Sequence, residues 1–527
     1  MLGECPQKVA VGWQTLPRFA ACNPAYFGKA ARRSQCFVKL MLVPVLTKHL
    51  LQTCGLQRLE RMRLRAVRVE MAIRPQCDSW GCNCQKGDCN ATQDLATLRQ
   101  LVVWSRKHGW NPPELYRAPS PGGYRTRAKL AVGPSEGQAI IGLFRKGTFQ
   151  VARHTMIAIL LYSSITNECC GFANWRCQGC RANHPVLDAG LEALEEALEM
   201  LPKVRPFDHT EPASTEPALR HIELTVERPT GLIQLVLLWN GERGSFAPGL
   251  EDLLEHLWPS HQTSSNKWHS ILVHWREPDP SLQREMRSKS KHAWEQKRPK
   301  TRGGIVRATV LETLDGLPFE FGAKSFQQAN LVVYEQILRD MKAQMQIALA
   351  TLQAKPPLRL PELCGGVGVI GLSPAHAASG EVTLLSTDVN PESGELFQLN
   401  ASRLFGDQEL VCTTFAALSA AAALQQGVES LGGPAEVLIL DPPRRGLGCR
   451  SWRSGLPAGQ EEVEQIRHSS VRVIIYMSCG PRSFMQDADR LTSPGATPAF
   501  QLTWLRCYDM FPFTDHLETL GIFARQE

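Results

Sequence analysis

The stretch Glu362-Leu363-Cys364-Gly365-Gly366-Val367-Gly368-Val369-Ile370-Gly371-Leu372 decides how the C-terminal part of this chain folds. Closely spaced glycines after an apolar run let a backbone turn tightly and approach a bound nucleotide or nucleoside. Asp388 closes the next apolar run, Val382–Thr387, 20 residues beyond Gly368. A carboxylate at that place can accept hydrogen bonds from both ribose hydroxyls, so the pair points to an adenosine cofactor. The plain alternative is an ordinary glycine turn with a surface acid.

Working outward, Val437–Leu440 and Val471–Met477 are further short apolar runs that end in polar or reactive residues, and Asn330–Leu349 reads as a helix. Apolar strands alternating with helical stretches predict an open, mostly parallel α/β sheet that takes ligands at the carboxyl ends of its strands. The first of these runs delivers Asp441-Pro442-Pro443-Arg444-Arg445-Gly446-Leu447. Two prolines cannot continue a ladder, so the strand stops there and presents Asp441 at the sheet edge; the alternative is a rigid turn with a solvated basic pair. The second run delivers Ser478-Cys479-Gly480-Pro481, a thiol at the same edge. A lone strand-end cysteine is ordinarily a small buried hydrophobe, and its place beside the other motifs is what gives it a chemical reading. A fourth motif, Asp509-Met510-Phe511-Pro512-Phe513-Thr514-Asp515-His516-Leu517-Glu518, would be an unremarkable loop by itself.

In this order, the four motifs resemble the 5-methyluridine (uracil-C5) RNA methyltransferase family, which has a glycine motif, a DPPR segment, an SCN-type strand end and a DMFPHTxHxE ending. Lys324-Ser325-Phe326-Gln327-Gln328-Ala329-Asn330 is similar to the family's SFFQxN segment, and Tyr124-Arg125-Thr126-Arg127-Ala128-Lys129-Leu130 to its YRNRAK strand. The resemblance spans roughly residues 77–525, most strongly from Lys324 onward. It implies a class I methyltransferase-type doubly wound sheet at the C-terminal end, with a smaller α+β substrate domain before it. It also implies S-adenosylmethionine contacts from Gln328, Cys364, Gly366, Gly368, Asp388 and Asp441, with Cys479 as nucleophile and Glu518 as base. These residue types suit the chemistry. Uracil C5 is a poor nucleophile until a thiolate adds at C6, and the C5 proton of the product adduct must then be removed by a base. The target base must be unstacked to expose C6, so the implied partner is RNA with a looped or flipped uridine, ribosomal or transfer.

At 527 residues the chain is long enough for two or three domains. Expected boundaries are a basic leader or disordered arm over 1–76, a cysteine-cluster and RNA-substrate domain over 77–303, and the methyltransferase domain over 304–527. Apolar residues at 43% and charged residues at 21%, without an uncharged apolar run long enough to cross a bilayer, predict a soluble protein with no membrane partner. A net charge of +7 is compatible with a polyanionic partner and decides nothing alone. No protein partner is evident. In 1–76 the only acids are Glu4, Glu60 and Glu70, which suggests a plastid or mitochondrial transit segment; a basic RNA-binding arm, and a cytoplasmic location, is the other reading.

Seventeen cysteines, an odd number in a chain without a secretory leader, argue against a disulfide framework. Some family members hold a 4Fe-4S cluster, and the resemblance implies Cys77, Cys84, Cys89 and Cys180 as its ligands, with Cys82 in reserve; zinc and no metal remain alternatives. Arg125, Arg127 and Lys129 alternate onto one strand face and could meet phosphates, the alternative being a solvated edge. Strands are expected over Thr126–Val132, Ala139–Phe144, Leu219–Val226 and Gly231–Trp239, a helix over Leu187–Leu201, a solvated loop over Arg284–Arg302, and an insertion over 156–175. Departures from the family pattern are Cys364 in place of an aromatic, Pro361 inside a central strand, no acid in Val411–Phe415, Gly480 for Asn and Phe513 for His. They leave room for a second reading, an RNA-binding protein that kept the fold and lost turnover.

Overall fold

The structure is a computed structural model, and it describes residues 95–135, 138–144, 148–153, 182–210, 216–244, 247–259, 267–276, 292–298, 308–406, 409–426, 434–447, 460–495, 499–512 and 514–525. All lie in one compact unit, Ser79–Glu527. The 1–76 segment, the 156–175 insertion and Cys77, Cys82, Cys84, Cys89 and Cys180 fall outside the described residues.

In chain order, helix α1 (Ala96–Lys107) and strand β1 (Glu114–Tyr116) come first, then β2 (Arg127–Ser135), β3 (Gln138–Phe144), β4 (Val151–Arg153) and α2 (Pro185–Met200). Next are β5 (Ala218–Glu227), β6 (Leu232–Asn240), α3 (Leu250–Leu257), β7 (Trp268–Arg276) and β8 (His292–Arg298). A hairpin of β9 (Thr309–Leu314) and β10 (Leu317–Gly322) leads into α4 (Leu331–Thr351). The remainder runs β11 (Leu358–Leu363), α5 (Val369–Ala377), β12 (Val382–Thr387), α6 (Ser393–Phe405), β13 (Val411–Ala416) and α7 (Ala420–Gln426). It closes with β14 (Val437–Leu440), α8 (Gln460–His468), β15 (Val473–Ser478), α9 (Pro481–Thr492), β16 (Phe500–Tyr508) and β17 (Glu518–Arg525).

The C-terminal elements build an eight-stranded sheet in the order β1-β16-β17-β15-β14-β11-β12-β13. From β13 to β15 the pairing is parallel, and β17 inserts antiparallel between β15 and β16. Strands β14 and β15 are buried at every position, which is why they read as unbroken apolar runs. Their alternate side chains feed two cores. Val437, Ile439, Val473, Ile475 and Met477 pack with α4, α5 and α6, whereas Leu438, Leu440, Ile474 and Tyr476 pack with α1, α8 and α9. The winding reverses between β11 and β14, and in open α/β sheets ligands bind beyond the strands' carboxyl ends at such a switch point. Pro361 is tolerated in β11 because the ladder to β14 begins only at Glu362. The early segment joins this sheet too: β1 pairs with β16, and Trp104 of α1 donates to Asp489 at 2.7 Å.

A second, seven-stranded sheet runs β4-β3-β2-β5-β6-β7-β8. It is antiparallel except for β6 and β7, which α3 connects as a crossover. Helices α2 and α3 cover one face through Leu187, Leu191, Leu194, Leu253 and Leu254. The expected solvated loop over Arg284–Arg302 is overturned in part, since His292–Arg298 is the edge strand β8. Pairing with β7 and the stack of Trp294 on His274, centroids 4.1 Å apart, hold it there. Hairpin β9–β10 was not foreseen from the sequence; Arg228 ties it to the second sheet, donating to Glu312 at 2.7 Å, to Glu335 at 3.1 Å and to the Thr313 carbonyl at 2.8 Å. Among the described residues no helix is long and apolar enough to cross a membrane.

Candidate active site

The glycine motif turns out of β11 into α5. Cys364, Gly366 and Gly368 all take positive φ, 62°, 57° and 89°, and Gly368 is the residue before the helix. Gly366 and Gly368 adopt this region without a Cβ penalty; Cys364 is held there against its preference. The turn is fastened by Asp388, which accepts from the Gly366 amide at 3.1 Å and from the Asn390 amide at 2.8 Å. Both carboxylate oxygens keep lone pairs for a ligand. A Cβ at Gly366 would meet nothing, so open space lies over the turn. These features fit an adenosine cofactor.

Glu362, which the sequence reading passed over, sits fully buried beneath the turn. Neither of its oxygens makes a well-aligned hydrogen bond, and a Cβ on Gly365 or Gly371 would collide with the carboxyl group. Burial pushes it up to about 7, Asp388's charge adds to the rise, and nearby Ser386 and the Gly371 amide partly offset it. Burial with the Glu362 and Asp388 charges likewise pushes Asp441 up to about 7. Cys364 is half-buried; burial, with the charges of Asp441, Asp388 and Glu362, raises its thiol to about 12, so it stays neutral. An acid between apolar strand residues, as in Pro361-Glu362-Leu363, is the signal that could have exposed Glu362.

The antiparallel pairing of β15 with β17 brings together Cys479 and Glu518, the residues expected from the sequence as nucleophile and base. Its register ends on Ser478 opposite Thr519, so the next positions, Cys479 and Glu518, face one another across the ladder. Glu518 is 3% exposed, and its Oε2 has no hydrogen-bond partner. Burial, then the charge of Asp441, raises its carboxyl well above the usual range, while Arg444 pulls it down. Cys479 is half-buried; burial, with the Glu518 and Asp441 charges, pushes its thiol up to about 11 against the opposing hydrogen bond and charge of Arg444. Arg444 is thus a neighbour of both groups.

Helix α9 fixes this arrangement. Ser483 donates to the carbonyls of Arg444 at 2.7 Å and Gly480 at 2.8 Å. One helical turn on, Asp487 accepts from the Leu447 amide at 2.9 Å and from the Tyr476 hydroxyl at 2.7 Å. A Cβ at 480 would run into the Arg444 carbonyl oxygen, so the glycine at this position permits the close approach of the two loops. The i, i+4 pair Ser483 and Asp487 was the available but unread sign of this clamp.

Gln328 is buried in the loop between β10 and α4. Asn330 caps α4, accepting from the Val333 amide at 3.2 Å, and donates to the Met510 carbonyl at 3.2 Å, which joins this loop to the Asp509–Pro512 turn. Of the alternating bases, Lys129 is exposed, 59% of its side chain, and Arg125 is half-buried with its Nε unpaired. Arg127 is turned inward: it donates to Glu223 at 2.6 Å, to the Ala323 carbonyl at 3.1 Å and to the Ser325 carbonyl. Among the described residues no group of three His, Cys, Asp or Glu is placed to hold a metal.

No model of a known protein family matches the chain. It is 27% identical to an uncharacterized RNA methyltransferase of Protochlamydia amoebophila over 76% of this chain and 86% of that one. It is 32% identical to a 23S rRNA (uracil-747, C5)-methyltransferase of Halothiobacillus neapolitanus, over 42% of this chain and half of that protein's length. The crystal structure of Pyrococcus abyssi tRNA (uracil-54, C5)-methyltransferase with S-adenosyl-L-homocysteine superposes with a TM-score of 0.52 and 16% identity, covering 81% of this chain and 83% of that one. The fold is that of the S-adenosylmethionine-dependent class I methyltransferases. Together these likenesses support an RNA methyltransferase enzyme.

Proposed function

We propose that this protein moves the methyl group of S-adenosylmethionine onto C5 of an unpaired uridine in ribosomal or transfer RNA through a covalent adduct at Cys479. One observation carries the reading: a thiol and a buried, partly unpartnered carboxyl lie on the adjacent ends of β15 and β17, at the same edge of the sheet as the glycine turn that leaves β11. Gln328, Asp388 and Asp441, with the backbone from Cys364 to Gly368, hold the cofactor, which supplies an electrophilic methyl. The Cys479 thiolate would add to C6, and the electron pair displaced toward O4 gives an enolate whose C5 would take the methyl as its bond to the sulfonium sulfur breaks, leaving S-adenosylhomocysteine. Glu518, which must be ionised when it acts, then takes the C5 proton, the C5–H electron pair forms the C5–C6 double bond, the C6–S bond breaks, and the thiolate leaves.

The resting thiol is neutral, so the step needs a thiolate made in the complex. Arg444 stabilises that anion, and the incoming sulfonium adds a second positive charge beside it. Gly480 and Phe513 alter the family motif without removing either reacting group, which favours turnover over mere binding.

A cluster ligated by Cys77, Cys84, Cys89 and Cys180 belongs to the proposal on sequence resemblance alone, as does an organellar location; iron and sulfide analysis of anaerobically purified protein, and imaging of a tagged full-length chain, test them. The central test is incubation with 5-fluorouridine-substituted RNA and S-adenosylmethionine. A denaturation-resistant complex mapped to Cys479, lost in Cys479→Ala, is expected. Methyl transfer that survives in Cys479→Ala would remove the mechanism.

A further inference from the structure

We infer that Arg127 is a positioning residue for cofactor binding, a strut from the second sheet to the loop that carries Gln328, and not a contact for RNA phosphate. The inference rests on the proposed cofactor role of Gln328.

The guanidinium lies between two bodies of structure. On one side Glu223 of β5 accepts from its Nε at 2.6 Å and also forms an ion pair with Nη2. On the other, Nη1 donates to the Ser325 carbonyl, and Nη2 to that of Ala323 at 3.1 Å. All three nitrogens are engaged, and the side chain is 19% exposed, whereas Lys129 on the same strand face is 59% exposed. Donors already bound to a carboxylate and two carbonyls would have to break charge-assisted hydrogen bonds to reach a phosphate.

What Arg127 holds is the first half of the 323–329 loop. The second half is pinned by the neighbouring residue, whose amide, Thr126 N, donates to the Ala329 carbonyl at 3.2 Å. Between these fixed points lie Phe326, Gln327 and Gln328. Phe326 is 74% exposed, while Gln327 and Gln328 are buried and neither amide atom of Gln327 has a partner. A loop that turns one residue outward and keeps unsatisfied polar atoms inside does not hold itself by burial, so external ties must set its shape. Arginine suits the task because its planar fork can serve a carboxylate and carbonyls at once; lysine has one compact ammonium.

The test measures cofactor and RNA separately in the full chain. In Arg127→Ala the Kd and KM for S-adenosylmethionine should rise about tenfold while kcat changes less, and Arg127→Lys should fall between. The slope of log RNA affinity against log salt should not change, because no phosphate contact is lost. A slope reduced by about one with unchanged cofactor affinity would overturn the inference and restore Arg127 as an RNA contact. If the alanine variant does not fold, Arg127→Lys and Glu223→Gln carry the same comparison, and unaltered cofactor affinity in both refutes the strut. Wild-type protein that binds no S-adenosylmethionine at all would instead defeat the underlying functional reading.

Discussion

The two sheets use their charged residues in different ways. In the eight-stranded sheet, Asp388, Asp441, Cys479 and Glu518 stand at or next to strand ends on one edge of the sheet. In the seven-stranded sheet, Arg127 and Glu223 stand within strands and spend their charge on internal ties. A strand-end position leaves a polar group available because the backbone beyond it is committed to turning. A strand-face position beside another layer of structure is claimed by that layer unless, like Lys129, it points to water.

The largest effect that would sharpen this contrast is at Glu518. Glu518→Gln should cut turnover by roughly a hundredfold to ten-thousandfold while leaving C6 addition possible, so an RNA–protein adduct should accumulate with ordinary uridine on denaturing gels. A comparable drop without any adduct would place Glu518 before, not after, methyl transfer.

The pH dependence is next. With the Cys479 thiol pushed up to about 11 in the cofactor-free protein, single-turnover adduct formation should climb with pH from 7 to 9, following the thiolate fraction, and less steeply with S-adenosylmethionine bound than without it. Glu362 and Asp441 are raised in the folded protein to about 7, so the native state holds protons that the unfolded chain has released. Their contribution to the cofactor-free protein therefore falls as pH rises from about 4 through about 7. Thermal unfolding with and without S-adenosylmethionine should show the cofactor's positive charge recovering the loss, and Glu362→Gln should flatten the profile.

Smaller effects separate the two sheets directly. Gly480→Asn restores the residue usual in the family, yet its Cβ meets the Arg444 carbonyl, so kcat should fall by roughly tenfold. Lys129→Ala should leave cofactor binding alone and lower the salt slope of RNA binding by about one, measured by titration at several salt concentrations. An unchanged slope would leave this face of β2 without an RNA role.

Much of the fold was legible because its signals are local. Val382–Thr387 and Val437–Leu440 were read to the residue; the second is buried at every position and therefore apolar throughout, and the first keeps apolar residues at Val382, Leu384 and Leu385. Helix α4, expected over Asn330–Leu349, was placed within two residues at each end, and the structure adds that Asn330 is its cap. Strand β8 was missed because Lys297 and Arg298 look solvated in sequence; they are held among Glu251, Glu255 and Glu295 only after folding. Glu362 was missed because its meaning lies in two glycines that make way for it.

The sequence by itself determined the order of strand and turn, the identity of the thiol and carboxyl that face each other, and the glycine turn beside them, because each is written in adjacent residues. Only the tertiary structure decided that Arg127 points inward, that Ser483 and Asp487 clamp the loop of Arg444, and that an unpartnered Glu362 underlies the turn. The first two depend on partners tens to hundreds of residues away, the third on how the turn folds back over its own strand, and the direction a side chain takes is settled by what folding brings against it.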